Sequence, residues 1–328
     1  MSLLKDPSVQ TPVIEVRDLC TWFPVKQGLW GKTSHYIKAV DGVSLRVNPG
    51  EIVALVGESG CGKSTLGNSL AGLLPILGGE LFYQGNAALR KNRLQRSVFQ
   101  NKVQVIFQDP YSCLNPKHTV YEILSFPLLY HKICKRSEVK DMIAHLLQQV
   151  GMPPDYMNRY PHSFSGGQRQ RISIARAIGM KPDLMICDEI VSSLDVSIQA
   201  QMVELLLELR KELGLALLFI AHDLSLVKTL SDRLYVMYLG KIVESGGTED
   251  VLSHPRHPYT RALIEAVPTL DRSKPPAILE GEVPSFTNMP VGCSFQNRCL
   301  HRSDQCQQMP GITENQGREV RCFHPLDK

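Results

Sequence analysis

Residues 57–65 read GESGCGKST, directly after the apolar run Ile52–Val56 and at the head of the helix-like run Ser64–Leu73. No other stretch restricts the fold so strongly. A strand must deliver its end to a glycine loop, and that loop must open a helix. Gly57, Gly60 and Gly62 permit backbone angles that a side chain forbids, so successive N–H groups can turn toward one phosphate chain. The following helix adds the partial positive charge of its N-terminus. On this reading Gly57, Glu58, Ser59, Gly60, Cys61, Gly62, Lys63, Ser64 and Thr65 bind a nucleotide. Lys63 reaches the β/γ-phosphates and the Ser64 hydroxyl ligates Mg²⁺. The competing reading is a glycine-rich turn that binds nothing.

A second segment, FSGGQ at 164–168, weighs against that bland reading. Ser165, Gly166, Gly167 and Gln168 place a hydroxyl and bare N–H groups at the start of a helical run, a second anion-binding terminus. If the two phosphate-binding ends do not face each other within one chain, they must meet across a dimer. Further on, LMICDE at 184–189 is a short apolar strand ending in two carboxylates. Asp188 suits the Mg²⁺ shell, and Glu189 suits a general base that orients the attacking water. SSLD at 192–195 supplies Asp195, and LLFIAHD at 217–223 brings His222 to the end of another apolar strand. Gln108, in VIFQDP, follows the strand-like Val103–Phe107. Taken singly, that glutamine would mark only a turn, and that histidine a packed surface or core residue.

In this order the motifs resemble those of ATP-binding cassette (ABC) ATPases, with Phe164 where their LSGGQ signature has leucine. The resemblance implies head-to-tail dimers with two ATP molecules sandwiched between them. It implies that His222 contacts the γ-phosphate, and that Gln108 senses Mg²⁺ and links the nucleotide to a partner domain. It also implies an aromatic upstream that stacks on adenine. Phe23 is the choice, with Trp22 and Tyr36 as alternatives, because residues 27–35 look like an insertion.

Composition bounds the class. The chain has 328 residues, 43% hydrophobic and 21% charged, enough for one large core and a smaller appendage. A net charge of +4 is too mild to argue for nucleic acid, and the basic run Arg90–Arg96 reads as a solvated face. No apolar stretch reaches membrane-spanning length, and the N-terminus lacks a signal-peptide core.

The expected fold class is α/β: a P-loop ABC ATPase core with a mainly parallel sheet and an antiparallel β subdomain, a helical subdomain, and a small Cys-rich C-terminal extension. Residues 1–12 read as a disordered lead-in. The ATPase domain spans 13–252, with the helical subdomain at about 111–165, and the extension spans 253–328.

That extension holds four of the nine cysteines: Cys293, Cys299, Cys306 and Cys322. A disulfide pair is one reading, although a reducing compartment argues against it. A four-thiolate metal site is the other, as a [4Fe–4S] cluster or Zn²⁺, although the C-x2-C knuckles common in zinc sites are missing. HPRHPYTRALIEAVP followed by GCSFQNRC and VRCFHP resembles the extension of ATP-binding subunits of oligopeptide and dipeptide permeases. FPVKQGLWGK and YPHSFSGGQRQRISIARAI resemble the F-type subunit.

That resemblance implies an ATPase motor for bacterial peptide import, peripheral on the cytoplasmic face of the inner membrane. It implies two transmembrane permease subunits, a second ATPase subunit (a D-type paralogue in a head-to-tail heterodimer, or a second copy), and indirectly an extracytoplasmic peptide-binding protein. It also implies that the four cysteines can carry the iron–sulfur cluster. Nickel chelates or haem are alternative substrates of related systems. Less favoured is a soluble ABC ATPase acting on nucleic acid or ribosomes, since no second cassette or coiled-coil insertion is present. A redox or zinc-binding regulatory module would explain the cysteines but not the ordered motifs.

Two further expectations follow. The family usually has proline after the catalytic glutamate, whereas this chain has Ile190, so the backbone after Glu189 should be less fixed. Cys61, beside Lys63 and a helix N-terminus, should be a reactive thiol.

Overall fold

A computed structural model describes residues 11–27, 32–88, 93–192, 194–267, 281 and 284–326. Most of the lead-in, part of the 27–35 insertion, residues 90–92 of the basic run, and Ser193 lie outside the described residues. The chain forms two compact units. The first is built mainly from Tyr83–Phe219, the second from Glu15–Arg46, Ile52–Phe82 and Ile220–Lys328.

In the first unit, the strands Val103–Ile106 and Leu184–Asp188 pair in parallel, with Val105 opposite Ile186 and Ile106 opposite Cys187. Ala216–Ala221 lies on the other side of Leu184–Asp188. Leu184–Asp188 is buried along its whole length, as a parallel strand covered on both faces must be. The interval 111–165 is mostly helical, with helices Val120–Tyr130 and Val139–Gln149 and two short 3₁₀ turns. Thr119 caps the first of these in a reciprocal box with Glu122. Both helices pack against Gly166–Gly179.

In the second unit, Ile52–Val56 pairs in parallel with Arg233–Tyr238, and every residue of Ile52–Val56 is buried. Arg233–Tyr238 turns back antiparallel onto Lys241–Gly247. The C-terminal extension then adds two more strands: Arg318–Val320 pairs with Lys241–Gly247, and Thr313–Asn315 pairs with Arg318–Val320. A separate antiparallel sheet contains Lys32–Val47, Ile14–Gln27 and Gly78–Tyr83.

The extension is therefore anchored by strand pairing and burial. Glu244 is 1% exposed, and its carboxylate accepts the N–H groups of Arg256 and His257, both at 2.9 Å, and the Arg318 guanidinium at 2.8 Å. Phe295 packs against Tyr238 and Tyr259, each ring centroid 5.3 Å away.

This anchoring corrects the metal-site expectation. Cys293, Cys299, Cys306 and Cys322 are all free thiols, which removes the disulfide reading too. Among the described residues, no group of three or more His, Cys, Asp or Glu is arranged to hold a metal ion, so neither the [4Fe–4S] cluster nor Zn²⁺ is supported. Burial pushes the Cys293 and Cys299 thiols up, and Cys322 up to about 11, which favours the protonated form. Hydrophobic packing within the second unit, with Phe295 against Tyr238 and Tyr259, holds the segment instead.

Candidate nucleotide site

The glycine loop takes the shape its sequence dictates. Gly62, the N-cap of helix Lys63–Leu70, has φ of 110°, and a Cβ there would sit 2.2 Å from the Ala39 carbonyl oxygen. Only glycine fits a left-handed position pressed against backbone. The Lys63 side chain is folded onto the loop, its Nζ donating to the carbonyls of Gly57 at 2.8 Å and Glu58 at 3.1 Å. The loop thus keeps an ammonium against its own backbone, the kind of charge that suits a polyphosphate.

Cys61 departs from expectation. It is 1% exposed, and burial raises its thiol pKa, outweighing the lowering effect of Lys63. A neighbouring ammonium favours thiolate, but loss of solvent disfavours it more strongly.

The second unit also carries His222 and Phe23. His222 is exposed, just beyond the strand Ala216–Ala221, and Asp223 caps the next helix by accepting the Ser225 N–H at 2.8 Å. Phe23 is 37% exposed. Of its two alternatives, Trp22 and Tyr36 pack on each other with centroids 6.3 Å apart, the Lys38 ammonium lies 4.7 Å over the Trp22 ring, and Tyr36 is 48% exposed.

The first unit brings together motifs that are far apart in sequence. Gln108 donates from Nε2 to Glu189 Oε2 at 3.0 Å. Gln108, Ser165, Gly166, Gly167 and Asp195 line one cleft of about 540 Å³. The FSGGQ segment is a reciprocal capping box. Ser165 Oγ accepts the Gln168 N–H at 3.4 Å, and Gln168 Oε1 accepts the Ser165 N–H at 3.1 Å. A Cβ on Gly167 would lie 2.7 Å from Ile198 Cγ2, so helix Gly166–Gly179 can approach Ile198 only with glycine there. Phe164 is buried against Tyr156, with centroids 5.5 Å apart, and fills an apolar position as leucine would.

Asp188 ends the buried strand at 8% exposure, and Glu189 follows in the left-handed region with φ of 49°. Such a conformation is strained for a residue with a side chain and needs support from its surroundings. Ser192 supplies it, donating to the Glu189 carbonyl through both N–H at 3.2 Å and Oγ at 2.8 Å. The turn is held despite Ile190, whose side chain is buried.

Sequence reasoning missed Arg298 and Tyr259. The Glu58 N–H donates to the Tyr259 hydroxyl at 2.8 Å, and Arg298 grips the Glu58 carboxylate with both terminal nitrogens, at 2.7 and 2.9 Å. Both lie in segments that resemble the permease-type extension, but nothing in those segments assigns either residue to the glycine loop, and Arg298 lies 240 residues from its partner.

Residues 40–192 match the ABC transporter family, and residues 243–306 match the oligopeptide/dipeptide transporter C-terminal region. The chain is 42% identical to the dipeptide transport ATP-binding protein DppF of Escherichia coli, over 97% of this chain and 96% of that one. It is 46% identical to the oligopeptide transport ATP-binding protein OppF of Salmonella typhimurium, over 95% and 96%. Among solved structures it resembles cbiO1 of Clostridium perfringens, part of an ABC transporter complex. That match has TM-score 0.64 and 25% identity, covering 74% of this chain and 92% of that one.

Proposed function

This chain belongs to the ABC transporter family as an ATP-binding subunit of the oligopeptide/dipeptide kind, and from that premise we propose how its residues divide the work. The protein is an ATPase that drives peptide transport through membrane permease subunits. Nickel chelates and haem are not favoured as substrates, because the relatives are named for dipeptides and oligopeptides. Among the described residues no helix is long and apolar enough to cross a membrane, so the membrane path is left to those partner subunits.

The observation that carries the assignment of roles is the Gln108–Glu189 hydrogen bond beside a cleft lined by the FSGGQ glycines and Asp195. Gly57–Thr65 would cradle the phosphates of ATP, with Lys63 turning from the loop carbonyls to the β/γ-phosphates. Phe23 would stack on adenine. Ser64, Gln108 and Asp188 offer hydroxyl, amide and carboxylate oxygens, a hard donor set that fits Mg²⁺. When bound, that ion supplies charge neutralisation at the β/γ-phosphates. Glu189 would accept a proton from the attacking water, and His222 would contact the γ-phosphate. Ser165, Gly166, Gly167, Gln168 and Asp195 would complete the site of a second ATPase subunit, in a head-to-tail dimer with a D-type paralogue. That pair would sit on the cytoplasmic face of the inner membrane, and an extracytoplasmic binding protein would deliver the peptide.

Co-expression with the permease subunits and a D-type paralogue, followed by reconstitution in proteoliposomes, tests this reading. Peptide-loaded binding protein should raise ATP hydrolysis, and peptide should accumulate in the lumen on the binding-protein side's opposite face. Recovery of the chain with ribosomes instead, without the permease subunits, would sink it.

A further inference from the structure

Glu58 places the one carboxylate of residues 57–65 inside the loop assigned to phosphate. A free carboxylate there would repel a polyphosphate through a region where charges are poorly screened. In this chain the carboxylate is bridged by Arg298 in a two-pronged pair, with the Arg298 side chain 4% exposed and the Glu58 side chain 21% exposed. Arg298 ends the 3₁₀ turn Gln296–Arg298 and lies 3.5 Å from the Tyr238 hydroxyl. Its guanidinium carbon sits 6.0 Å over the Phe295 ring. Phe295 is buried with Tyr238 and Tyr259, and Tyr259 is the residue that takes the Glu58 N–H. The extension therefore reaches the loop twice, by charge and by hydrogen bond, from one packed aromatic cluster.

We propose that Arg298 is a positioning residue for nucleotide binding: by pairing with Glu58 it neutralises the one carboxylate of the phosphate loop, and so makes ATP affinity depend on the folded extension. The inference rests on Gly57–Thr65 binding ATP. It predicts opposite signs for the two halves of the pair. Removing the arginine makes the surroundings of the phosphate loop one charge more negative, while removing the carboxylate charge makes them one charge more positive. A purely structural tie would weaken binding in both cases. ATP, with its additional γ-phosphate charge, should respond more than ADP.

The test is titration of the full chain with ATP and with ADP, in wild type, Arg298→Ala, Glu58→Gln, the double variant, Arg298→Lys and Lys63→Ala. Arg298→Ala should weaken ATP binding on the order of tenfold, the scale of one unpaired charge at short range, and ADP binding less. Glu58→Gln should tighten ATP binding. The double variant should recover most of the loss, and Arg298→Lys should keep most of the affinity because it keeps the charge. Glu58→Gln and Arg298→Lys read the sign even if Arg298→Ala does not fold. Weakening by both Arg298→Ala and Glu58→Gln, or no change in either, overturns the proposal. Lys63→Ala separates the two failures: if it binds ATP like wild type, the loop assignment itself is wrong; if it loses ATP while the pair variants do nothing, only the role of Arg298 falls.

Discussion

Gln108 Nε2 donates to Glu189 Oε2 at 3.0 Å, although 81 residues separate the two. The bond holds one carboxylate oxygen of a residue whose backbone is already fixed at φ of 49°. Side chain and main chain of Glu189 are thus set by different partners, Gln108 and Ser192. Glu189→Gln should preserve this geometry but cannot accept a proton. Turnover should fall by roughly 10²–10⁴-fold, with ATP still bound and dimers accumulating. Single-turnover hydrolysis within a few-fold of wild type would remove Glu189 from the role of base.

Cys61 should resist modification. Its thiol is buried and its pKa is raised by that burial, so little thiolate exists near neutral pH. Peptide mapping after brief maleimide treatment at pH 7.5 should find Cys61 unlabelled in native protein and labelled once denaturant is added. Rapid native labelling, blocked by Mg-ATP, would restore the reactive-thiol expectation.

His257 gives the fold an acid limit. It is 1% exposed, and desolvation holds its pKa at about 3, far below the ordinary histidine value. The folded state keeps it neutral while the unfolded chain protonates it near pH 6.5. Stability is therefore fully present above about pH 6.5 and is lost as pH falls from there toward about 3, by up to ~1.4 kcal/mol per pH unit. Its Nδ1 accepts the Tyr259 N–H at 3.0 Å, a cap that asparagine can also provide. Urea midpoints measured from pH 7.5 to 4.5 should drop more steeply for wild type than for His257→Asn. Equal slopes would mean that the imidazole protonates in place.

Glu244 pins the extension to the sheet. Glu244→Ala would leave Arg318 and two backbone N–H groups without their shared acceptor, at a cost of about 3–5 kcal/mol. Limited proteolysis should then cut within the extension well before the rest of the chain. An unchanged digestion pattern would show that strand pairing alone suffices.

What the sequence made legible were features with local causes. The glycine loop, the FSGGQ helix start and the buried strand Leu184–Asp188 each follow from spacing and residue type within a few positions. The Gln108–Glu189 hydrogen bond follows from no local rule, because it is parallel pairing of the strands before them that brings the two together. Cys61 was misread because burial, which outweighs Lys63, is a property of the packed chain. The cysteine quartet was misread because clustering in sequence suggested a shared ligand, while the fold uses Glu244, Phe295 and two short strands to hold that segment. Arg298 was invisible, since nothing near it hints at a carboxylate 240 residues earlier.

The strand Arg318–Val320 also decides how far this protein can be trimmed. It covers the outer side of Lys241–Gly247, opposite Val320 at Glu244 and Glu319 at Ser245. A chain cut after Ser253 would present those amides and carbonyls as an open β-edge, ready to recruit the same edge of a neighbouring molecule. Minimal cassettes made from this sequence should therefore self-associate in proportion to concentration, and the remedy is to keep the last seventy-odd residues or to place a lysine or proline on the uncovered strand.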